Sequence, residues 1–405
     1  MTTLVAIAGL AFLILVHEAG HFVTALATGM RPRKFYLGFP PPLVRTVRRG
    51  VEYGIGLIPL GGYVKIPGMF RPAESDLGRW FGRAQEEDPS LHRPLERVAH
   101  ALDRSDFDAA RVALDDLEVA LAGASLGDGA RRDAKKGLVD IRDGLAPDAY
   151  WRQRSWRRIA VIFAGPGTNL LLAIVLFASV FMVGSGAYRL GFVLKANGQH
   201  VSPTVDSVLS GHPAARAGLH AGDRIVAIDG RTVAADRIPN VIGSSHGNPI
   251  SLTVLRGGRR ITLPAVRPRR DEGLSAPEAF WSSLKVTGSI TRETGAALAN
   301  LVHGQGRNDI SSPVGIVRTS DQAIAAGART YLSLLGYISL SLALLNLLPL
   351  LPLDGGHIAF SIVEGVRGRA VARAVYERVS AVGIALVLLL FFVGLSNDLG
   401  GRPGG

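Results

Sequence analysis

The chain has 405 residues, enough for more than one folding unit, and its apolar residues, 47% of the total, are clustered rather than dispersed. The net charge of +12 does not point to nucleic acid, because Lys and Arg are scattered through loops or gathered beside apolar runs. With no cysteine, disulfides, iron–sulfur clusters and thiolate zinc sites are excluded, so any zinc must be held by His and carboxylate.

The first apolar run, from about Leu4 to Thr28, is long enough to cross a bilayer as one helix. A secretory signal peptide is the weaker reading, since no basic start precedes the apolar core. Inside this run stand His17, Glu18 and His21, spelling His-Glu-x-x-His. Ionisable groups at that depth are costly unless they bind something or face a polar cavity. Positions i and i+4 share one helix face, so His17 and His21 can grip one metal ion, with Glu18 placed as a general base. An intramembrane zinc protease is the first expectation.

Residues 31–69 are rich in Gly, Pro and β-branched residues and read as short strands joined by Gly-rich turns, apolar enough to dip into a membrane surface. Residues 70–150 turn charged and Ala-rich, with helical periodicity from Phe107 and again from Arg131 to Leu145, which predicts a cytoplasmic helical hairpin without chemistry. The second span opens near Trp156 and contains Gly165-Pro-Gly-Thr-Asn169. Pro and Gly there suggest a kink or close helix packing, and Asn169 needs a partner: interhelical glue and contact with an extended substrate weigh equally.

Residues 187–270 form a candidate soluble domain between the second and third spans. The stretch from Val205 to Gly230 resembles the PDZ pattern, with a short helix at Pro213, a turn at Gly222-Asp223 and a hairpin turn at Gly257-Gly258. Tyr188 to Phe192 is the candidate carboxylate loop, and peptide capture and steric filtering are both open roles. Residues 276–302 are moderately amphipathic, either interfacial or a linker helix.

A catalytic zinc usually takes three protein ligands and leaves one position open, so His17 and His21 need a partner. Few acids lie in or against the spans: Glu18, Asp354, Glu364 and Glu377. Glu364 and Glu377 neighbour Arg367 and Arg373, and ion pairing explains them. Asp354 follows Pro349 and Pro352 and precedes Gly355 and Gly356; a helix broken at membrane depth implies a cavity or a site. Asp354 is therefore the candidate third ligand. His357, three residues on, is a candidate to support it from behind.

Taken together, His17-Glu-Ala-Gly-His21, Gly165 to Asn169, one PDZ-like domain, Ser312-Pro-Val-Gly-Ile316 and Asn346 through Asp354-Gly355 resemble the site-2 protease family of intramembrane zinc metalloproteases. The resemblance covers most of the chain except residues 70–150. It departs from the proteobacterial members in having one PDZ-like domain instead of two, and in a larger charged segment.

The expected fold is a polytopic α-helical membrane protein of about four transmembrane helices, with a membrane-associated β-hairpin region and one extracytoplasmic PDZ-like α+β domain. Its segments are 1–30 (first span), 31–69 (β region), 70–150 (insert), 151–186 (second span), 187–270 (PDZ-like domain), 271–328 (amphipathic linker), 329–357 (third span) and 358–405 (basic loop and fourth span). Basic clusters flank the spans at Arg31, Arg33 and Lys34, at Arg152 to Arg158, and at Arg367 to Arg373, which puts those flanks in the cytoplasm and both termini outside.

The resemblance implies one Zn²⁺ held by His17, His21 and Asp354, Glu18 as the catalytic base, and Asn169 and Asn346 as hydrogen-bonding partners of an unwound substrate. The Tyr53 to Lys65 strands are candidates to clamp that substrate by strand addition. It also implies single-span substrates in a bacterial cytoplasmic membrane, anti-sigma factors or remnant signal peptides, clipped first by a site-1 protease and admitted past the PDZ-like gate. Lipid is the other expected partner, and nucleic acid is not. A catalytically silent PDZ scaffold is the rival, opposed by Glu18, which a structural site has no use for. A metal transporter would show several ligand clusters along a path, and one is found.

Overall fold

The computed structural model describes residues 2–197, 200–302, 313–371 and 373–399. Its elements form two compact units, Met1–Leu176 with Val286–Gly405, and Phe177–Lys285.

The larger unit begins with α1 (Thr2–Ala27), which carries His17 and His21 in its second half. Strands β1 (Lys34–Arg48) and β2 (Val51–Lys65) pair antiparallel. β2 doubles back, so Lys34 to Leu37 pair with Glu52 to Ile55 on one side and with Gly62 to Lys65 on the other. The arm from Gly62 to Lys65 is thereby an edge. The distal half of the ribbon leaves Leu43, Val44 and Val47 exposed.

Four helices follow: α2 (Glu74–Glu87), α3 (His92–Asp103), α4 (Phe107–Gly123) and α5 (Asp128–Leu145). They close their own core around Phe81, Leu91, Val98, Leu114, Leu117 and Ile141. A hairpin of two helices is expected over this segment; α2 and α3 are additional. Both are strongly amphipathic, with Leu77 and Phe81 of α2 and Leu95, Val98 and Leu102 of α3 buried.

Helix α6 (Ser155–Val183) continues as one helix through Pro166. In the smaller unit come β3 (Tyr188–Arg189), β4 (Phe192–Asn197), β5 (His200–Val208), α7 (Pro213–Arg216), β6 (Arg224–Ile228) and β7 (Arg231–Thr232). They are followed by α8 (Ile238–Ser244), β8 (Leu252–Arg256), β9 (Arg259–Thr262) and β10 (Arg269–Arg270). The main sheet runs β4-β5-β6-β8-β9 with β7 attached to β6, while β10 pairs with β3. Leu190, Leu219, Ile225, Leu252 and Val254 fill its core. Helix α9 (Ala276–Val302) leaves this unit.

The last elements return to the larger unit as α10 (Pro313–Ala325), α11 (Ala328–Asn346), α12 (Asp354–Arg367) and α13 (Arg373–Leu399). Ser312, part of the expected family segment, lies outside the described residues. The third apolar run ends its helix at Asn346, and residues 347–353 form a non-helical link into α12. Close contact explains the glycines there. A Cβ on Gly355 would meet the Leu347 and Leu348 carbonyls, and one on Gly356 would meet the backbone of Leu350 and Leu351. Among the described residues four helices are long and apolar enough to cross a membrane: α1, α6, α11 and α13 up to Asp398.

Candidate metal centre

Two helices, α1 and α12, bring three polar side chains to one corner. His17 Nε2 lies 3.2 Å from Asp354 Oδ2, His21 Nε2 lies 3.4 Å from the same oxygen, and the two Nε2 atoms are 3.2 Å apart. A tetrahedral zinc with bonds of about 2.0–2.1 Å demands ligand separations of about 3.3–3.4 Å. The triangle has that size, and its fourth vertex belongs to no protein atom of the group.

The chemistry of the donors fits as well. His21 Nδ1 sits 2.8 Å from the Val161 carbonyl oxygen of α6, which can only accept, so Nδ1 carries the proton and Nε2 offers a lone pair. Among the described residues, the buried Asp354 Oδ2 has no hydrogen-bond geometry that meets a donor, although two imidazoles stand beside it. Converging lone pairs without donors are costly alone and are what a cation resolves. His17 Nδ1 is also buried without a partner among the described residues.

Helix α6 makes room for this corner. A Cβ on Gly165 would overlap the His21 imidazole and crowd His17 Nε2 at 2.8 Å. A Cβ on Gly20 would meet the Ala164 carbonyl and Thr168 Oγ1, and Thr168 Oγ1 donates to the Val16 carbonyl at 3.2 Å. Gly20 and Gly165 thus let α1 and α6 approach at the depth of the histidines.

The corner opens into a cavity of about 1010 Å³ lined by Glu18, Asn169, Asn346 and His357 besides the three donors. Glu18 takes a backbone hydrogen bond from Val64, and its Cγ lies where a Cβ on Gly62 would stand at 2.8 Å. The edge arm of β2 therefore passes directly over the carboxylate. Asn169 is fully buried, and neither of its amide atoms has a hydrogen-bond partner among the described residues; its backbone carbonyl accepts from Ser339 Oγ at 2.8 Å. Ser339 thus engages the main chain of Asn169 and not its amide.

The other expected residues sit differently. His357 lines the cavity and lies 6.3 Å, ring to ring, from Tyr376, with no hydrogen bond to Asp354 among the described residues. Lys65 lines the cavity, but its ammonium faces Asp143 of α5 at 2.9 Å. Tyr53 is not among the lining residues; it packs on Phe22 and Phe35. Glu364 is expected to pair with Arg367 or Arg373. Instead it accepts from Arg158 at 2.5 Å and from the Val371 N–H at 2.8 Å, because it lies on the inner face of α12 while Arg367 is exposed.

The insert reaches the cavity too, through Asp76, Asp140 and Asp143. Asp76 pairs with Arg373 at 2.7 Å, and Asp143 with Arg33 at 3.0 Å. Basic residues that flank the spans thus serve partly as docking points for the insert. Elsewhere on the ribbon, the Tyr36 hydroxyl, at 2.5 Å, and Lys34 hold the Glu52 carboxyl below its usual range. Burial and the Glu52 carboxylate push the Tyr36 hydroxyl up to about 12.

The profile described as Peptidase family M50 matches residues 5–390. An Agrobacterium fabrum protein described as a zinc metalloprotease is 28% identical over 96% of this chain and 93% of its own length. The zinc metalloprotease RasP of Geobacillus kaustophilus is 30% identical over 96% of this chain and 95% of its own. A Brucella suis relative, also described as a zinc metalloprotease, is 28% identical over 96% of this chain and 93% of its own.

Proposed function

The chain belongs to peptidase family M50 and is a zinc metalloprotease of the membrane, and from that premise we propose that it cuts peptide bonds inside the bilayer. The observation that carries this is the triangle of His17, His21 and Asp354 beside Glu18, built on helices apolar enough to span. His17, His21 and Asp354 are the ligands. Zinc held there supplies a Lewis acid for the scissile carbonyl and lowers the pKa of a water at the open vertex.

Glu18 takes a proton from the attacking water and returns it to the leaving amine. A substrate helix hides its carbonyls in i to i−4 bonds and must unwind before attack. The edge arm Gly62 to Lys65 offers the unwound strand a backbone ladder beside Glu18. The unpaired amide of Asn169, with Asn346 across the cavity, hydrogen-bonds the backbone that unwinding frees.

The smaller unit is read as one PDZ-like domain, supported by its sheet order, the short α7 and the turn at Gly222-Asp223. The basic flanks of α1 and α6 support a cytoplasmic side for the β ribbon and insert, and an outer side for that domain. The exposed Leu43, Val44 and Val47 support a ribbon lodged in lipid. The substrates are single-span proteins of a bacterial cytoplasmic membrane, anti-sigma factors or remnant signal peptides, shortened by an outer protease before the PDZ-like domain admits them.

The test is reconstitution with tagged single-span proteins and mapping of the cut. The wild type should cut within the apolar segment, and Glu18→Gln should not. Cutting confined to the soluble flanks, or undiminished in Glu18→Gln, would overturn the reading.

A further inference from the structure

Asp354 faces a problem that His17 and His21 do not. The two histidines share a helix, so their spacing is fixed by α1 itself. Asp354 arrives at the first turn of α12 after a non-helical link, and nothing within α12 sets its distance from α1.

The inner stripe of α12 supplies the answer. Asp354, His357, Ser361 and Glu364 recur at intervals of three and four residues and share one face. At the far end of that stripe Glu364 meets Arg158 of α6 at 2.5 Å, with both side chains less than a tenth exposed, 9% and 8%. Between them, the Ser361 and Tyr150 hydroxyls are 3.2 Å apart, and the Arg158 guanidinium lies 4.8 Å from the Tyr150 ring centre. On α6, Arg158 is one turn before Val161, whose carbonyl fixes His21, and two turns before Gly165, which the imidazoles pack against. One face of one helix thus touches all three donors, two directly and the third through α12.

We propose that Arg158 and Glu364 are positioning residues for the metal centre: their buried ion pair fixes the register of α12 on α6 and so places Asp354 Oδ2 against the two imidazoles. The inference rests on the ligand reading above. Neither residue belongs to the donor triangle. A charge pair this buried has no water to fall back on, so a shift of α12 would leave both charges uncompensated. Oδ2 needs its place to within a few tenths of an ångström to match zinc geometry.

The experiment is zinc affinity of the full chain in detergent by chelator competition, with the unfolding midpoint recorded beside it. Glu364→Gln should weaken zinc binding by about 10- to 100-fold while the chain stays folded. Arg158→Lys keeps the charge but loses the planar fork, and should weaken it by about 3- to 10-fold. The swap Arg158→Glu with Glu364→Arg should recover at least about tenfold of the Glu364→Gln loss. If Glu364→Gln does not accumulate, Arg158→Lys decides.

Zinc affinity within about twofold of wild type in the folded single variants would overturn the inference, even with a lowered midpoint, because the pair would then be structural only. Asp354→Ala separates the two readings. If it loses zinc while Glu364→Gln does not, only the positioning role fails. If Asp354→Ala keeps wild-type zinc affinity, the ligand assignment itself fails.

Discussion

Asp223 is a buried acid of the sheet unit and Asp354 a half-buried one among the membrane helices, and they are held in opposite ways. Asp223 is 1% exposed and fully answered: Arg256 Nε and Nη2 donate to its two oxygens at 2.7 Å each, and the His220 N–H adds a bond at 2.9 Å. Asp354 Oδ2 faces two imidazole nitrogens, at 3.2 and 3.4 Å, and among the described residues no guanidinium or backbone N–H donates to it. A closed hydrogen-bond set fits a carboxylate that holds a fold together, and the open set fits the metal ligand proposed above. Glu364 repeats the closed pattern among the helices, accepting from Arg158 Nη2 and from the Val371 N–H, so burial at this depth does not force a carboxylate to go unpaired.

The comparison predicts that variants at the open corner cost function, and variants at the closed one cost structure. The largest effect is expected for Glu18→Gln. Cleavage should fall by about 10²–10⁴-fold with zinc content and unfolding midpoint unchanged, since the residue acts on the proton and not on the metal. A parallel loss of zinc would show that Glu18 belongs to the ligand set.

Gly165→Ala comes next. Its Cβ would enter the His21 imidazole, so zinc affinity should drop by about 10- to 100-fold. Gly167→Ala is the control, since its Cβ would meet only the Phe163 ring at 3.1 Å. Equal zinc affinities in the two variants would break the claim that α6 shapes the corner.

Asn169→Leu separates the two readings of that residue. No side-chain hydrogen bond is lost, so the unfolding midpoint should hold or rise, while substrate cleavage falls by about tenfold or more from one missing contact to the unwound backbone. A lowered midpoint with normal cleavage would make Asn169 interhelical glue.

The smallest effect concerns the closed acid. The hydrogen bonds from Arg256 hold the Asp223 carboxyl below its ordinary range. Its contribution is therefore complete above the unfolded value of about 3.9 and disappears as pH falls through the lower folded value. Amide exchange in β6 and β8 should accelerate below about pH 4 in the wild type, and Asp223→Asn should flatten that dependence. Acceleration of the same size in Asp223→Asn would assign it to other groups.

Much of this was legible in the sequence, and the reasons differ by residue. His17 and His21 are readable because helix spacing alone puts them on one face. Asp354 is readable because prolines and glycines at membrane depth are hard to explain otherwise. Val161, Gly20, Arg158 and Tyr150 are not readable, because what they do depends on which helix lies beside them. A carbonyl that fixes a tautomer has no signature in residue type. Glu364 misleads for the same reason: its neighbours in sequence are basic, but its partner lies 206 residues away. Lys65 pairs with Asp143 of the insert, a partner that no spacing in the sequence announces.

The central claim is that two imidazoles and one carboxylate hold a single zinc with one vertex open. X-ray absorption at the zinc edge of the purified full chain tests it most directly. One zinc per chain is expected, with four N or O neighbours at about 2.0–2.1 Å and outer-shell scattering from two imidazoles, lost in Asp354→Ala. A spectrum requiring a third imidazole, or one unchanged by Asp354→Ala, would contradict it.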